Sequence, residues 1–221
     1  MTSSQSSLHR KRRILIVDDH PIVRRGFREL IADEADLELC GEAEDVEDAL
    51  RMAQELRPDI AVVDLSLKSG RGLDLIHQMR SCLPNTRVLV STMHDEVLFA
   101  ERALRAGAAG FIGKQEPPEK MVEAIRQVAC GEIWLSPRMA GRLLARIGSP
   151  SASPEDVLSA LSDRELQVLE MIGRGLGTAQ IATQLDVSIK TVETHRQRIK
   201  VKLGLRTGAE LNRYAVQWSM R

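Results

Sequence analysis

The chain has no apolar stretch near the roughly 20 residues that a membrane helix needs. The run behind its basic N-terminus, Ile14 to Val17, is four residues long, which also excludes a signal-peptide core. Cysteine is limited to Cys40, Cys82 and Cys130, odd in number, widely spaced and set among apolar residues. That pattern excludes a disulfide framework and the close ligand spacing of a zinc site, and reads as buried free thiols in a reducing compartment. No glycine-rich loop follows the first apolar run, so a nucleotide-phosphate cradle is excluded there. Net charge is missing too, with 31 Lys/Arg against 31 Asp/Glu. A cytoplasmic protein without a membrane partner is the expectation.

What is present describes a soluble chain with ample core: 43% hydrophobic and 28% charged residues over 221 positions, comfortable for two domains. The zero net charge conceals an asymmetry. Residues 14–154 carry 17 basic against 23 acidic side chains, whereas residues 155–221 carry ten against eight, six of the ten lying between Lys190 and Arg206. An acidic half suits a cation, and a basic cluster suits a polyanion. Residues 1–11 read as a disordered basic tail. Gly148-Ser149-Pro150-Ser151-Ala152-Ser153-Pro154 cannot bury anything and reads as a linker over 149–156.

Between tail and linker the chain alternates short apolar runs with segments of helical periodicity. Ile14 to Val17, Leu37 to Cys40, Ile60 to Leu65, Val88 to Ser91 and Gly110 to Gly113 read as strands. Helices follow from Pro21, from Asp45 to the stop at Pro58, from about Gly72 to Ser81, from about Glu96 to Gly107, and over Pro117 to Ala129. This is a doubly wound α/β domain with a five-stranded parallel sheet, expected over 12–131, and a connecting amphipathic helix over 132–148.

The strand ends carry the chemistry. Asp18 and Asp19 close the first strand, Asp64 the third, Ser91 and Thr92 the fourth and Lys114 the fifth. In a parallel sheet all of these face one crevice, where ligands of open α/β folds bind. Clustered carboxylates call for a cation, and oxygen ligands with several waters suit Mg²⁺. A lysine and a hydroxyl facing that cation are what an incoming phosphoryl group needs, and a carboxylate can be the nucleophile that accepts it.

Beyond the linker, Ser162-Asp163-Arg164-Glu165 is a capping box, Thr178 can cap a short helix over Ala179 to Leu185, and a third helix runs from about Ile189 to Leu203. Two helices joined by so short a turn form a helix-turn-helix unit, expected over 157–221. On the third helix Val192, Arg196, Ile199 and Leu203 share one side and Thr191, His195, Arg198 and Lys202 the other. Lys190, Thr191, Val192, His195, Arg198 and Lys202 are the candidate DNA contacts.

These residues resemble those of two-component response regulators of the NarL/FixJ class, a receiver domain followed by a LuxR-type helix-turn-helix domain. The resemblance implies a flavodoxin-like strand order 2-1-3-4-5, with Mg²⁺ at Asp18, Asp19, Asp64 and the Ser66 carbonyl. It also implies a sensor histidine kinase that phosphorylates Asp64, Lys114 pairing the phosphoryl oxygens, and Thr92 with Phe111 as the switch. The site then supports its own phosphotransfer and dephosphorylation without making the protein an enzyme, and the phosphorylated form dimerises on double-stranded DNA. The spacing of the family selects Thr92 over Ser91.

Several residues depart from that pattern. Lys68 stands where a proline is usual, Gly177-Thr178-Ala179-Gln180 replaces a more usual Ser-Asn-Lys-Glu, and Glu193 replaces a lysine while Arg198 adds a charge. His77 and His94 read as ordinary surface residues. Two alternatives are a constitutive DNA-binding regulator whose receiver is only a dimerisation or partner module, and a Mg²⁺-dependent phosphohydrolase. The adjacency of Asp18 and Asp19 and the absence of a cap insertion argue against the second.

Overall fold

The computed structural model describes residues 10–67, 72–148, 158 and 160–219. Lys68, most of the basic tail and the expected linker lie outside the described residues. The chain divides into two compact units between Leu143 and Leu144.

The first unit is built on five parallel strands: β1 (Arg12–Val17), β2 (Leu37–Ala43), β3 (Ile60–Val63), β4 (Arg87–Thr92) and β5 (Gly110–Gly113). Their order is β2-β1-β3-β4-β5, as the resemblance implies. The helices between and after them are α1 (Pro21–Ala32), α2 (Val46–Leu56), α3 (Gly72–Cys82), α4 (Glu96–Ala106) and α5 (Pro118–Ala129). Ile14, Ile16, Ile60, Val62 and Leu89 from the strands meet Phe27, Ile31, Met121 and Ile125 from the helices in one core. Apolar runs buried on both faces give strands of this kind their composition.

Local chemistry sets the element ends. Asp45 and Asp95 cap α2 and α4 by accepting from the backbone N–H groups of Asp48 and Val97. Gly107, at φ +116°, ends α4 in the left-handed region that favours glycine. Strand β2 runs three residues beyond Cys40 because the register slips there. Ile14 pairs with Leu39 and Leu15 with Gly41, leaving Cys40 as a bulge that interrupts the alternation expected of a strand.

The cysteines are not uniformly buried as the sequence suggests. Cys40 is half-buried, with its thiol donating to the Ile14 carbonyl at 3.2 Å, and burial pushes that thiol's pKa up. Cys82 and Cys130 are exposed, because they sit at the outer ends of α3 and α5.

The segment after α5 stays with the sheet. Trp134 donates to the Ala109 carbonyl at 3.1 Å and accepts from Phe111 N–H at 2.9 Å, a parallel bridge that covers part of the β5 edge. Helix α6 (Pro137–Gly148) follows.

The second unit contains α7 (Asp163–Gly173), α8 (Thr178–Gln184), α9 (Ile189–Lys202) and α10 (Gly208–Ser219). The capping box at Ser162 and Glu165 is present in both directions. Helix α8 is capped one residue earlier than expected, at Gly177, whose N–H donates to the Gln180 side chain at 2.8 Å. Helix α10 was not anticipated. Its signal is a second capping box, in which Thr207 Oγ1 accepts from Glu210 N–H at 3.1 Å and the Glu210 carboxylate accepts from Thr207 N–H at 3.4 Å and also from Arg206 N–H at 2.7 Å. The helix packs on α7 so closely that a Cβ on Gly173 would lie 2.7 Å from the Ala215 carbonyl oxygen.

Candidate functional site

Strand order puts the C-terminal ends of β1 and β3 side by side, where the chain reverses its direction of winding and α/β sheets open a crevice. Asp18 and Asp64 leave those ends as neighbours, with Asp64 N–H donating to the Val17 carbonyl at 2.9 Å. Lys114, just past β5, reaches back across β4. Its ammonium lies 2.6 Å from both Asp18 Oδ2 and Asp64 Oδ2. Burial works to lower the pKa of this ammonium, but the two carboxylates more than offset it and hold it above the ordinary lysine value.

All three carboxylates are buried. One carboxylate oxygen each from Asp18, Asp19 and Asp64, with a His20 ring nitrogen, lie within 4.8 Å of one another. Lys114 answers two of the three. Asp19 Oδ1 has His20 Nδ1 at 2.7 Å but no aligned hydrogen bond, so a buried anionic oxygen remains unsatisfied. A surplus of buried carboxylate with an orphaned oxygen fits a hard divalent cation.

The loop after Asp64 is held from two directions. Ser66 N–H donates to Asp64 Oδ1 at 3.1 Å, and a Cβ on Gly72 would lie 2.6 Å from Leu65 Cα and 2.7 Å from the Asp64 carbonyl oxygen. Only glycine lets the start of α3 approach the loop this closely. Thr92 is fully buried at the end of β4; its carbonyl accepts from Lys114 N–H at 2.9 Å and its hydroxyl from His94 N–H at 3.4 Å. Phe111 is buried two pairs back along the same ladder, opposite Val90.

His94 corrects a sequence expectation. It is buried rather than a surface residue, stacks on Phe99 with ring centroids 4.5 Å apart, and pairs through Nε2 with Ser66 Oγ at 3.0 Å. Periodicity could not reveal this, because the contact joins residues 28 apart in two loops. His77 is exposed, as expected.

In the second unit a four-residue turn, Leu185 to Ser188, joins α8 to α9, with Asp186 in the left-handed region at φ +50°. Ser188 caps α9 by accepting from Thr191 N–H at 3.1 Å, and the two hydroxyls lie 2.8 Å apart. Of the proposed DNA-facing residues, Lys190 and Arg198 are exposed and Thr191 and His195 are half-buried. Val192 is fully buried and cannot reach a groove. At 100° per residue it shares its side with Ile199 and the half-buried Arg196, which donates to Asn212 Oδ1 at 3.0 Å. Burial lowers the Arg196 pKa from its ordinary value. Lys202 is exposed, and its ammonium pairs with the buried Glu165 carboxylate at 2.7 Å. Glu193, Thr194, Gln197 and Val201 complete the exposed face.

A doubly wound domain with an acid pocket and paired lysine, followed by a helix-turn-helix unit, defines a receiver joined to a DNA-binding module. Residues 14–126 match the response regulator receiver domain family and residues 159–215 match the bacterial regulatory proteins of the luxR family. The chain is 35% identical to the oxygen regulatory protein NreC of Staphylococcus carnosus over 210 residues, 93% of this chain and 97% of that protein. The NreC of Staphylococcus aureus strain RF122 is 37% identical over the same shares. RcsB of Salmonella enterica serovar Typhimurium, solved on the rprA promoter with the phosphomimetic BeF3−, superposes with a TM-score of 0.62. It is 25% identical, with 93% of this chain and 98% of that one covered. A LuxR-family response regulator from Aurantimonas sp. SI85-9A1 is 36% identical at a TM-score of 0.58, covering 63% of this chain and 99% of its own. The chain belongs to the response regulators of the NarL/FixJ class, and is a DNA-binding transcription regulator controlled by phosphorylation. Among the described residues, no helix is long and apolar enough to cross a membrane.

Proposed function

We propose that Asp64 is the phosphoacceptor, that a sensor histidine kinase is the donor, and that phosphorylation turns this chain into a homodimer on double-stranded DNA. The observation that carries the reading is the Lys114 ammonium at 2.6 Å from both Asp64 and Asp18, beside the orphaned oxygen of Asp19. Asp18, Asp19, Asp64 and the Ser66 carbonyl would hold Mg²⁺, which screens the carboxylates from the incoming phosphoryl group.

The chain's own groups supply the rest. A carboxylate oxygen of Asp64 attacks the phosphorus of the kinase phosphohistidine, forming a P–O bond as the P–N bond breaks. Lys114 is already charged and positioned for the equatorial oxygens, so no reorganisation is needed as charge develops. Thr92, at the end of the adjoining strand, supplies a hydroxyl donor, and Phe111 follows it in the switch. Turnover beyond this transfer and the hydrolysis of the aspartyl phosphate, in which water takes the phosphoryl group and frees the Asp64 carboxylate, is not part of the reading, which leaves the protein a regulator rather than an enzyme.

On the DNA side, Lys190, Arg198 and Lys202 are exposed cations of α9, the last already paired with Glu165, and Thr191, Thr194, His195 and Gln197 are polar residues of the same helix. RcsB dimers on DNA are known as a structure 26% identical to this chain with a TM-score of 0.57, which supports the dimeric reading. The test is selection from a randomised duplex pool with Mg²⁺, with and without a small phosphodonor. Native protein is expected to select a two-half-site sequence more strongly with the phosphodonor, and Asp64→Ala to ignore it. Equal selection in all four conditions would establish the constitutive alternative instead.

A further inference from the structure

The turn between β4 and α4 touches two parts of the receiver at once. On one side Thr92 Oγ1 accepts from His94 N–H, and the His94 ring meets Ser66 in the loop that follows Asp64. On the other, Glu96 opens α4 and uses both carboxylate oxygens on a single residue. Its Oε1 accepts from Ser136 N–H at 3.0 Å and its Oε2 from the Ser136 hydroxyl at 2.5 Å. Ser136 also caps α6, its Oγ accepting from Met139 N–H at 3.1 Å and its carbonyl from Ala140 N–H at 2.9 Å. Chain order then runs through α6 to the DNA-binding unit.

We propose that Glu96 and Ser136 form a phosphorylation-sensitive latch, closed while Asp64 is free and opened when Thr92 engages a phosphoryl group there. The proposal rests on Asp64 as the acceptor. Thr92 and Glu96 are four residues apart on a turn whose far end is fixed into α4 by the Asp95 cap. Drawing the Thr92 hydroxyl away from His94 N–H therefore displaces the start of α4 as a body, carrying Glu96 with it. Two bonds to one planar carboxylate tolerate little displacement, because hydrogen bonds weaken steeply as they leave line. Trp134, two residues before Ser136, stays fixed by its two backbone bonds to the β5 strand and its approach. Opening is thus confined to Ser136 and the cap of α6, the first point from which the connecting helix can move.

Linkage makes this testable in the full-length protein with beryllofluoride and Mg²⁺ as the probe. If the latch favours the unphosphorylated form, breaking it must tighten beryllofluoride binding, by about fivefold or more for a coupling of ordinary size. Ser136→Ala and Glu96→Gln should each do so, and the double variant should gain no more than either alone. Glu96→Gln leaves the α6 cap intact, so it separates latch from cap. In native protein, beryllofluoride should speed exchange of the Ser136 amide, which donates to Glu96, toward the rate seen in unliganded Glu96→Gln. A merely structural contact would lower the melting temperature without changing beryllofluoride affinity, and that result, or weaker binding, overturns the latch. Failure of native protein to bind beryllofluoride at all would overturn the Asp64 reading and the latch with it.

Discussion

Each unit of this molecule buries a carboxylate against a lysine at almost the same distance, 2.6 Å for Asp64 with Lys114 and 2.7 Å for Glu165 with Lys202. The two pairs do different work, and the difference lies in what surrounds them. Glu165 is balanced: Oε2 accepts from Lys202 and from Ser162 N–H, and the residue closes the cap of α7. The receiver pocket is not balanced, since one ammonium serves Asp18 and Asp64 while a third buried carboxylate has an oxygen with no hydrogen bond. A satisfied pair is architecture. A surplus of one charge, held rigidly, fits a ligand of the other sign.

The most drastic way to break the contrast is to remove the surplus itself. Asp64→Ala should abolish phosphodonor-dependent labelling, read by mass spectrometry of the intact protein, while leaving the fold. Next in size is Lys114→Ala. It leaves buried carboxylates with no fixed counter-charge and should cost about 3 kcal/mol in denaturant unfolding without Mg²⁺. Added Mg²⁺ should recover more stability in this variant than in native protein, whereas the corresponding loss of Lys202 should be indifferent to Mg²⁺. Gly72→Ala follows: its Cβ has no room against Leu65 and Asp64, so about 2 kcal/mol of stability should go, along with part of the phosphorylation rate.

Much of the pocket was legible because each of its residues ends an apolar run, and strand ends of a parallel sheet converge whatever the details of packing. The acid residues needed no side-chain geometry, and the strand order came from the family resemblance rather than from the pattern of runs. What could not be read was anything made by two loops meeting. His94 looks like a surface residue in sequence because its partner Ser66 is on another loop, and Glu96 meets Ser136 across 40 positions. Helix α10 could have been found from Thr207 and Glu210, whose spacing repeats the Ser162 and Glu165 box. On α9 the error was internal: Val192 belongs to the buried stripe by the same periodicity that defines the exposed one. Lys202 is long enough to reach back to Glu165, a direction that a helical wheel does not encode.

The satisfied pair makes a smaller prediction, in pH. Hydrogen bonds and the Lys202 charge outweigh desolvation and hold the Glu165 carboxyl below its ordinary value of 4.5. Its contribution is therefore fully present above that value and is lost as pH falls through the lower folded value. Acidification below pH 4.5 should destabilise native protein more than Lys202→Met. At neutral pH that variant should already be weaker by about 1 kcal/mol, the pair being partly exposed on its lysine side. The chain has two tryptophans, so Trp134→Phe leaves Trp218 in α10 as the reporter of this unit alone.

The smallest expected effect separates the two stripes of α9. Arg198 is exposed, and if it neutralises a phosphate, Arg198→Ala should reduce the slope of log affinity against log salt by about one per protomer. The loss should be nearly uniform across operator sequences, because phosphate contacts carry no base identity. Val192→Ala should behave in the opposite way, lowering the melting temperature of the unit while leaving the salt slope of the folded fraction intact, since Val192 is wholly buried. A salt slope unchanged by loss of Arg198 would leave Lys190 as the exposed cation at the start of α9, and would move the phosphate contacts of this unit toward the helix N-terminus.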